Sequence, residues 1–430
     1  MTVYDVLFYV PHKLGGMPVF GWGLALLVWL VIGGGWIAWQ MWLHRASADA
    51  VGGLAMLAVG AAGIVWLAPR MEEFDRQTNE ALGIAVHGYG MMVTMGVVAG
   101  VAMALREALR MGLDADFIHG LAMRLFIFGI AGARGLYVAL NWNDYVRPTW
   151  RETLVEVAKF TQGGLVVYGA FFGAMAAGAW YVRSRRQPLL AVADLIAPAM
   201  LAGLAFGRVG CFLHGCCFGG ECAAGPMAVS FPMTSPPYYH QMARGRFQGL
   251  WLAPGRSPQE LLVARVDPDS PAALAGVTAG TRLARVNGLD IDTTTRNWLP
   301  FVGAVTSMEV ETVDGQMYRW SVPTMPRRSL PVHPVQLYSA ASAAALSLLL
   351  WAWYPLRRRD GELIAGLLLL YPLTRILEEA VRDDEPGRFG TPLTISQWVS
   401  VGLLVAGAAL AGYLAKRPPG CVRFSREMPA

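Results

Sequence analysis

Charge is scarce in this chain. Only 15% of its 430 residues are charged, and the formal net charge of +5 is spread without a long basic run, which argues against nucleic acid as a partner. Cysteine is scarce as well: there are five, four of them crowded between 211 and 222, so thiol chemistry is confined almost to one place. The first apolar stretch lacks a basic start and runs too long for a cleaved leader, so it reads as a retained helix. What the chain has in quantity is apolar surface. Fully 55% of residues are hydrophobic, and 15 tryptophans are suited to anchoring helices at a bilayer interface.

A span needs about 20 apolar residues. Segments near 20–42, 50–68, 84–105, 117–140, 163–182, 189–206, 334–356, 361–380 and 393–415 qualify, which predicts about nine transmembrane helices. Arg45, Arg106, Arg110, Arg183, Arg185, Arg186, Arg357, Arg358, Arg359, Lys416, Arg417, Arg423 and Arg426 then fall on one side, the cytoplasmic side by the positive-inside rule. The N-terminus and the long 207–333 segment are expected outside, and the tail 419–430 inside.

That long segment is too large for a structureless loop. From about 258 to 325 its composition turns soluble. Leu261-Leu-Val-Ala-Arg-Val reads as a strand, Asp269-Ser270-Pro271 as a helix cap and first turn, and Asn287-Gly288 and Asp314-Gly315 as hairpin turns. The stretch 266–288 resembles the bacterial PDZ pattern V-x-P-x-S-P-A-x-x-A-G. The resemblance implies a small β-rich extracytoplasmic domain at 255–326 that binds an extended peptide or protein C-terminus by strand addition. A purely structural insert is the alternative.

The most informative stretch is Gly207-Arg-Val-Gly-Cys-Phe-Leu-His-Gly-Cys-Cys-Phe-Gly. It places Arg208 at the end of an apolar run, where an arginine is costly unless an anion or the head groups answer it. Gly207, Gly210, Gly215 and Gly219 are expected to let backbone and ligand approach closely. A cation among glycines at a membrane face suits a lipid phosphate.

The motifs around it run in a recognisable order. They are His87-Gly-Tyr-Gly-Met, Gly132-Ala-Arg-Gly-Leu-Tyr, Gly163-Gly-Leu-Val-Val-Tyr-Gly-Ala-Phe-Phe-Gly, Asp194-Leu-Ile-Ala-Pro, Gly207-Arg-Val-Gly-Cys-Phe, His333-Pro-Val-Gln-Leu-Tyr, Arg375-Ile-Leu-Glu-Glu-Ala-Val-Arg and Leu393-Thr-Ile-Ser-Gln-Trp. In these the chain resembles prolipoprotein diacylglyceryl transferase. The resemblance implies a polytopic all-α membrane core, split into 81–254 and 327–418 around the insert, with two added helices in 1–80. It also implies the reaction: a diacylglyceryl group moves from phosphatidylglycerol to the lipobox cysteine of a lipoprotein precursor, with no cofactor and no catalytic metal.

The resemblance assigns roles residue by residue. Arg208 would hold the phosphate, Arg375 and Glu379 would form an arginine–glutamate pair on one helix face, and Tyr89 is a functional tyrosine. Tyr168 occupies the position of the family's histidine or aromatic. A phenol titrates near 10, so it is a poor base at neutral pH. His87, Arg134, Gly163, Gly164, Asp194, Gly207, Gly210, His333, Gln336, Tyr338 and Gln397 are the expected substrate-binding positions. For Arg134 the choice lies between a second phosphate contact and an ion pair with Asp194. Asp194 otherwise reads as a cap, and the Gly163-Gly164 pair as helix start and packing.

Departures stand beside these matches. The family pattern Arg-x-x-Asn-Phe-x-Asn-x-Glu reads here Arg208-Val-Gly-Cys211-Phe-Leu-His214-Gly-Cys216, and the glutamate after Gln-Leu-Tyr is Ser339. His214 is a candidate substitute base, since imidazole titrates near neutrality, and a histidine hydrogen-bonded near the interface is the alternative. For Cys211, Cys216, Cys217 and Cys222 the outward position favours disulfides. Buried free thiols, a zinc site with His214 and a catalytic thiol are the alternatives. Two function classes follow: a lipid-to-protein transferase, favoured by Arg208, Tyr89, Arg375 and Glu379, and an eroded lipid-binding scaffold, favoured by the lost Asn, Asn and Glu.

Overall fold

The computed structural model describes residues 6–44, 47–74, 78, 80–158, 164–257, 259–291, 307–322, 325–382 and 390–422, in two units, 2–91 and 92–430. Gly163 lies outside the described residues.

In the first unit, strands β1 (Val6–Val10), β2 (Lys13–Leu14) and β3 (Met17–Pro18) precede helices α1 (Leu24–His44) and α2 (Ser47–Ala62). A π turn and a 3-10 turn carry the chain on to Met71. Strand β4 (Glu73–Phe74) and strand β5 (Ala81–His87) follow, and β5 lies between β1 and β4, antiparallel to both. Gly83 (φ +111°) is required in β5, because a Cβ there would sit 2.0 Å from the Val10 carbonyl oxygen. The span expected at 84–105 is thus shifted: its first residues are strand, and helix α3 (Gly88–Met111) begins after them.

The second unit holds α4 (Ala115–Leu140), short helices α5 (Trp142–Tyr145) and α6 (Trp150–Ala158), then α7 (Val167–Ser184) and α8 (Leu189–His214). Helix α9 (Pro236–Ala243) leads to the sheet region with its one-turn helix α10 (Pro271–Leu274). Helices α11 (Val335–Trp353), α12 (Glu362–Glu379) and α13 (Ile395–Ala415) close the unit. Small residues set the helix spacing. A Cβ on Gly132 of α4 would meet the Gly169 carbonyl oxygen of α7 at 2.3 Å, and one on Gly173 would meet that of Phe128 at the same distance. In a bilayer, where hydrophobicity does not drive helices together, such backbone approach supplies the packing. Six stretches among the described residues are long and apolar enough to cross a membrane: Gly53–Met71, Gly88–Met111, Ala115–Leu140, Leu189–His214, Val335–Leu356 and Ile395–Ala415.

Helix α8 is longer than the apolar run 189–206 suggested. It continues through Val209 and Cys211-Phe212-Leu213 and stops at Gly215 (φ +83°), a left-handed C-cap. Arg208 therefore stands inside the helix rather than at its exit.

Strands β6 (Leu250–Pro254), β7 (Leu261–Val266), β8 (Arg282–Val286), β9 (Leu289–Asp290), β10 (Ser307–Thr312) and β11 (Met317–Ser321) form one antiparallel sheet. Its order is β11-β10-β8-β7-β6, with β9 paired to β8. The sheet starts before residue 255, because β6 is built from 250–254 and pairs with β7. Leu250, Leu261, Val263, Leu283, Val286, Met308 and Val310 are its buried core. The Asn287-Gly288 turn has φ values of +50° and +75°, as a tight hairpin requires. The Ser270 hydroxyl accepts from the Ala273 amide at 3.2 Å, capping α10. Residues 292–306 lie outside the described residues.

Candidate active site

Arg208 is half-buried in α8, and its electrostatic neighbours are Tyr371 of α12, Cys217, Cys211 and Arg382. Among the described residues no carboxylate pairs with it and no hydrogen bond holds it. A Cβ on the preceding Gly207 would meet nothing within 4 Å, so no neighbouring element packs against that position. Gly210, one turn along, is buried.

The far end of α12 presents the opposite arrangement. Arg375 Nη2 lies 2.8 Å from Glu379 Oε2, one turn on, and both residues are buried. Arg382 reaches the same oxygen at 3.4 Å, the Thr394 hydroxyl donates to Oε1 at 2.9 Å, and Arg375 Nη2 also donates to Ser396 Oγ at 3.1 Å. One carboxylate thus orients two arginines, as the i,i+3 and i,i+4 spacings allow. Arg375 keeps one buried nitrogen, Nη1, without a partner among the described residues. Arg382, given no role by the sequence reading, joins the site. Its three-residue spacing from Glu379 was the available signal.

Loop 215–222 is stitched into place by backbone. Gly219 N donates to His333 O at 3.0 Å, His333 N to Gly220 O at 3.0 Å, and Gly220 N to Val381 O at 2.9 Å. A Cβ on Gly219 would sit 2.7 Å from that of His333, so its close approach serves the fold and not a ligand. Gln336 Nε2 donates to Cys216 O at 2.7 Å, and Tyr338 Oη lies 3.5 Å from His333 Nδ1. The expected positions His333 and Gln336 therefore hold the loop, and Tyr338 lies beside His333.

All five cysteines are free thiols, which corrects the disulfide expectation. Instead, the sulfurs of Cys211, Cys216 and Cys217 lie within 4.8 Å of one another. They share hydrogen bonds, and Cys217 adopts a left-handed backbone (φ +58°). Hydrogen bonds from Cys211 and Cys216, and then the charges of Arg382 and Arg208, hold the Cys217 thiol far below its ordinary range, whereas Cys216 is pushed up as a donor. Three such thiols are the donor set a soft cation would take. His214, exposed in the last turn of α8, and Cys222 are not part of that set.

Four expected substrate residues, Arg134, Gly164, Asp194 and Gln397, make contacts within the fold. Arg134 donates from Nε to Val157 O at 2.8 Å, from Nη2 to Glu156 O at 3.1 Å and from Nη1 to Gly164 O at 3.3 Å. It is fixed on the carbonyl end of α6, where a cation is favoured, and among the described residues it makes no ion pair with Asp194. Gly164 (φ +76°) packs against it. Asp194, fully buried, accepts from Gly361 N at 2.7 Å, Leu363 N at 3.0 Å and Ile364 N at 2.9 Å, with Arg357 at 3.8 Å. It caps α12. Gln397 closes a capping box with Thr394 at the start of α13. Tyr168 lies part-buried in the first turn of α7. In the first unit His87 and Tyr89 are both exposed at the β5–α3 junction.

The fold is that of a helical membrane protein, with six stretches among the described residues long and apolar enough to cross a bilayer. The prolipoprotein diacylglyceryl transferase family model matches residues 79–413, and the chain belongs to that family. It is 35% identical over 436 residues to a phosphatidylglycerol–prolipoprotein diacylglyceryl transferase of Rhodopirellula baltica, covering 94% of this chain and 88% of the relative. A second enzyme of that name from Clostridium perfringens is 22% identical over 77% of this chain and 92% of its own length. That of Clostridium tetani is 30% identical over 37% of this chain and 60% of its own.

Proposed function

We propose that this chain transfers a diacylglyceryl group from phosphatidylglycerol to the cysteine thiol of a lipoprotein precursor. The observation that carries the reading is Arg208, a half-buried guanidinium that no carboxylate of the described residues answers. The acceptor thiolate attacks the glyceryl carbon bonded to phosphate oxygen. The C–S bond forms as the C–O bond breaks, and glycerol phosphate leaves with the electron pair. Charge develops on the phosphate oxygens, so fixed cations lower the barrier most there. Arg208 grips the phosphate, and the spare Nη1 of Arg375 donates to the same head group, with Glu379 and Arg382 keeping it oriented. The acceptor thiol has an ordinary pKa near 8.5 and needs a base. We assign His214 that role, with Tyr168 as a hydrogen-bonding group.

In this reading nine helices span the bacterial inner membrane, with the N-terminus and the sheet domain outside and the C-terminus cytoplasmic. The PDZ-like domain gathers the precursor by adding its extended chain to a sheet edge. Rescue of a transferase-depleted bacterium tests the function: growth and a thioether-linked lipoprotein are expected, and failure of a well-expressed chain to rescue contradicts it.

A further inference from the structure

Helix α11 carries a serine where the family pattern has a glutamate. Ser339 is 4% exposed, so a lost carboxylate there is not made good by solvent. The space is nevertheless occupied by a carboxylate. Glu378 of α12 reaches across to α11 and binds two of its hydroxyls: Ser342 Oγ donates to Oε1 at 2.6 Å, and Ser339 Oγ donates to Oε2. A glutamate at 339 would branch from the same Cβ that now carries the hydroxyl bound to Glu378.

We propose that Glu378 supplies from α12 the carboxylate that the family pattern carries at position 339. The proposal rests on the transferase reading. Glu378 is a positioning residue. It clamps α12 to α11 beside Arg375, Glu379 and Arg382, and α11 in turn holds the Cys216 carbonyl through Gln336. The exchange moves the carboxylate from one helix to its neighbour while keeping its place in space. Sequence position alone hides this, because Glu378 sits next to the glutamate that the motif already explains.

A four-protein cycle tests it: wild type, Glu378→Ala, Ser339→Glu and the double variant, each as the full chain in detergent–lipid micelles. Glu378→Ala should lower kcat about tenfold with little change in KM for phosphatidylglycerol, and adding Ser339→Glu should restore kcat to within about threefold of wild type. Ser339→Glu alone places two carboxylates in one site and should lower Tm by about 2–4 °C, a loss that Glu378→Ala relieves. Wild-type kcat in Glu378→Ala overturns the proposal, and so does a double variant no more active than Glu378→Ala or no more stable than Ser339→Glu. Absence of turnover in wild type would instead strike the transferase reading, and the Tm cycle would still decide whether the two carboxylates share one place.

Discussion

Helix α8 carries one charged side chain toward each end, and the fold treats them oppositely. Asp194 is answered completely from within the chain, by three backbone amides of the α12 start with Arg357 nearby. Arg208 is answered by no carboxylate of the described residues and has Tyr371, two thiols and one other cation, Arg382, as its electrostatic neighbours. A buried charge with internal partners joins elements together, whereas one left without them stores affinity for something that arrives. Arg134 and Arg375 extend the comparison. The first spends its guanidinium on helix-end carbonyls, and the second keeps a nitrogen in reserve.

The comparison breaks first at Asp194. Asp194→Ala leaves three helix-start amides buried without an acceptor, at about 1–3 kcal/mol each, and should abolish a cooperative thermal transition in detergent. A folded, stable variant would show that the cap contributes little. Next comes Arg134→Ala, which removes three bonds to carbonyls and should cost about 2 kcal/mol in denaturant midpoint while leaving KM for phosphatidylglycerol unchanged. A raised KM with normal stability would return Arg134 to the substrate.

The smallest effect is expected at Asp267 in the sheet domain, a charge answered at the surface. Burial raises its carboxyl, but the Trp251 hydrogen bond and the charges of Arg246 and Arg265 outweigh this and hold it below 3.8. Since the folded value lies under the unfolded one, the stabilisation is full above the unfolded value and disappears as pH falls through the folded one. Thermal scans between about pH 5 and about pH 2 should show Asp267→Asn losing part of the wild-type acid sensitivity.

Much of this was legible in the chain. Apolar runs marked the helices, and Asn287-Gly288 marked a hairpin, because both signals are local. The Arg375–Glu379 pair was legible for the same reason, one helical turn separating the two. Asp194 read as a cap, but the helix it caps was hidden because its partners lie more than 160 residues away in sequence. Gln397 carried a readable signature, Thr394-x-x-Gln397, that the family likeness obscured. The depth of Arg208 was missed because Gly207 and Gly210 look like a helix end, yet the helix runs on to His214. The thiol cluster depends on the left-handed turn at Cys217, a conformation that non-glycine residues rarely advertise.

The central claim, that Arg208 is held ready for a lipid phosphate, is tested most directly by Arg208→Lys in a steady-state assay with phosphatidylglycerol and a lipobox peptide, alongside its Tm. The charge survives but the forked donor does not, so turnover should fall about 100-fold at unchanged Tm. Near-wild-type turnover, or a loss of activity that merely follows a loss of stability, would contradict it.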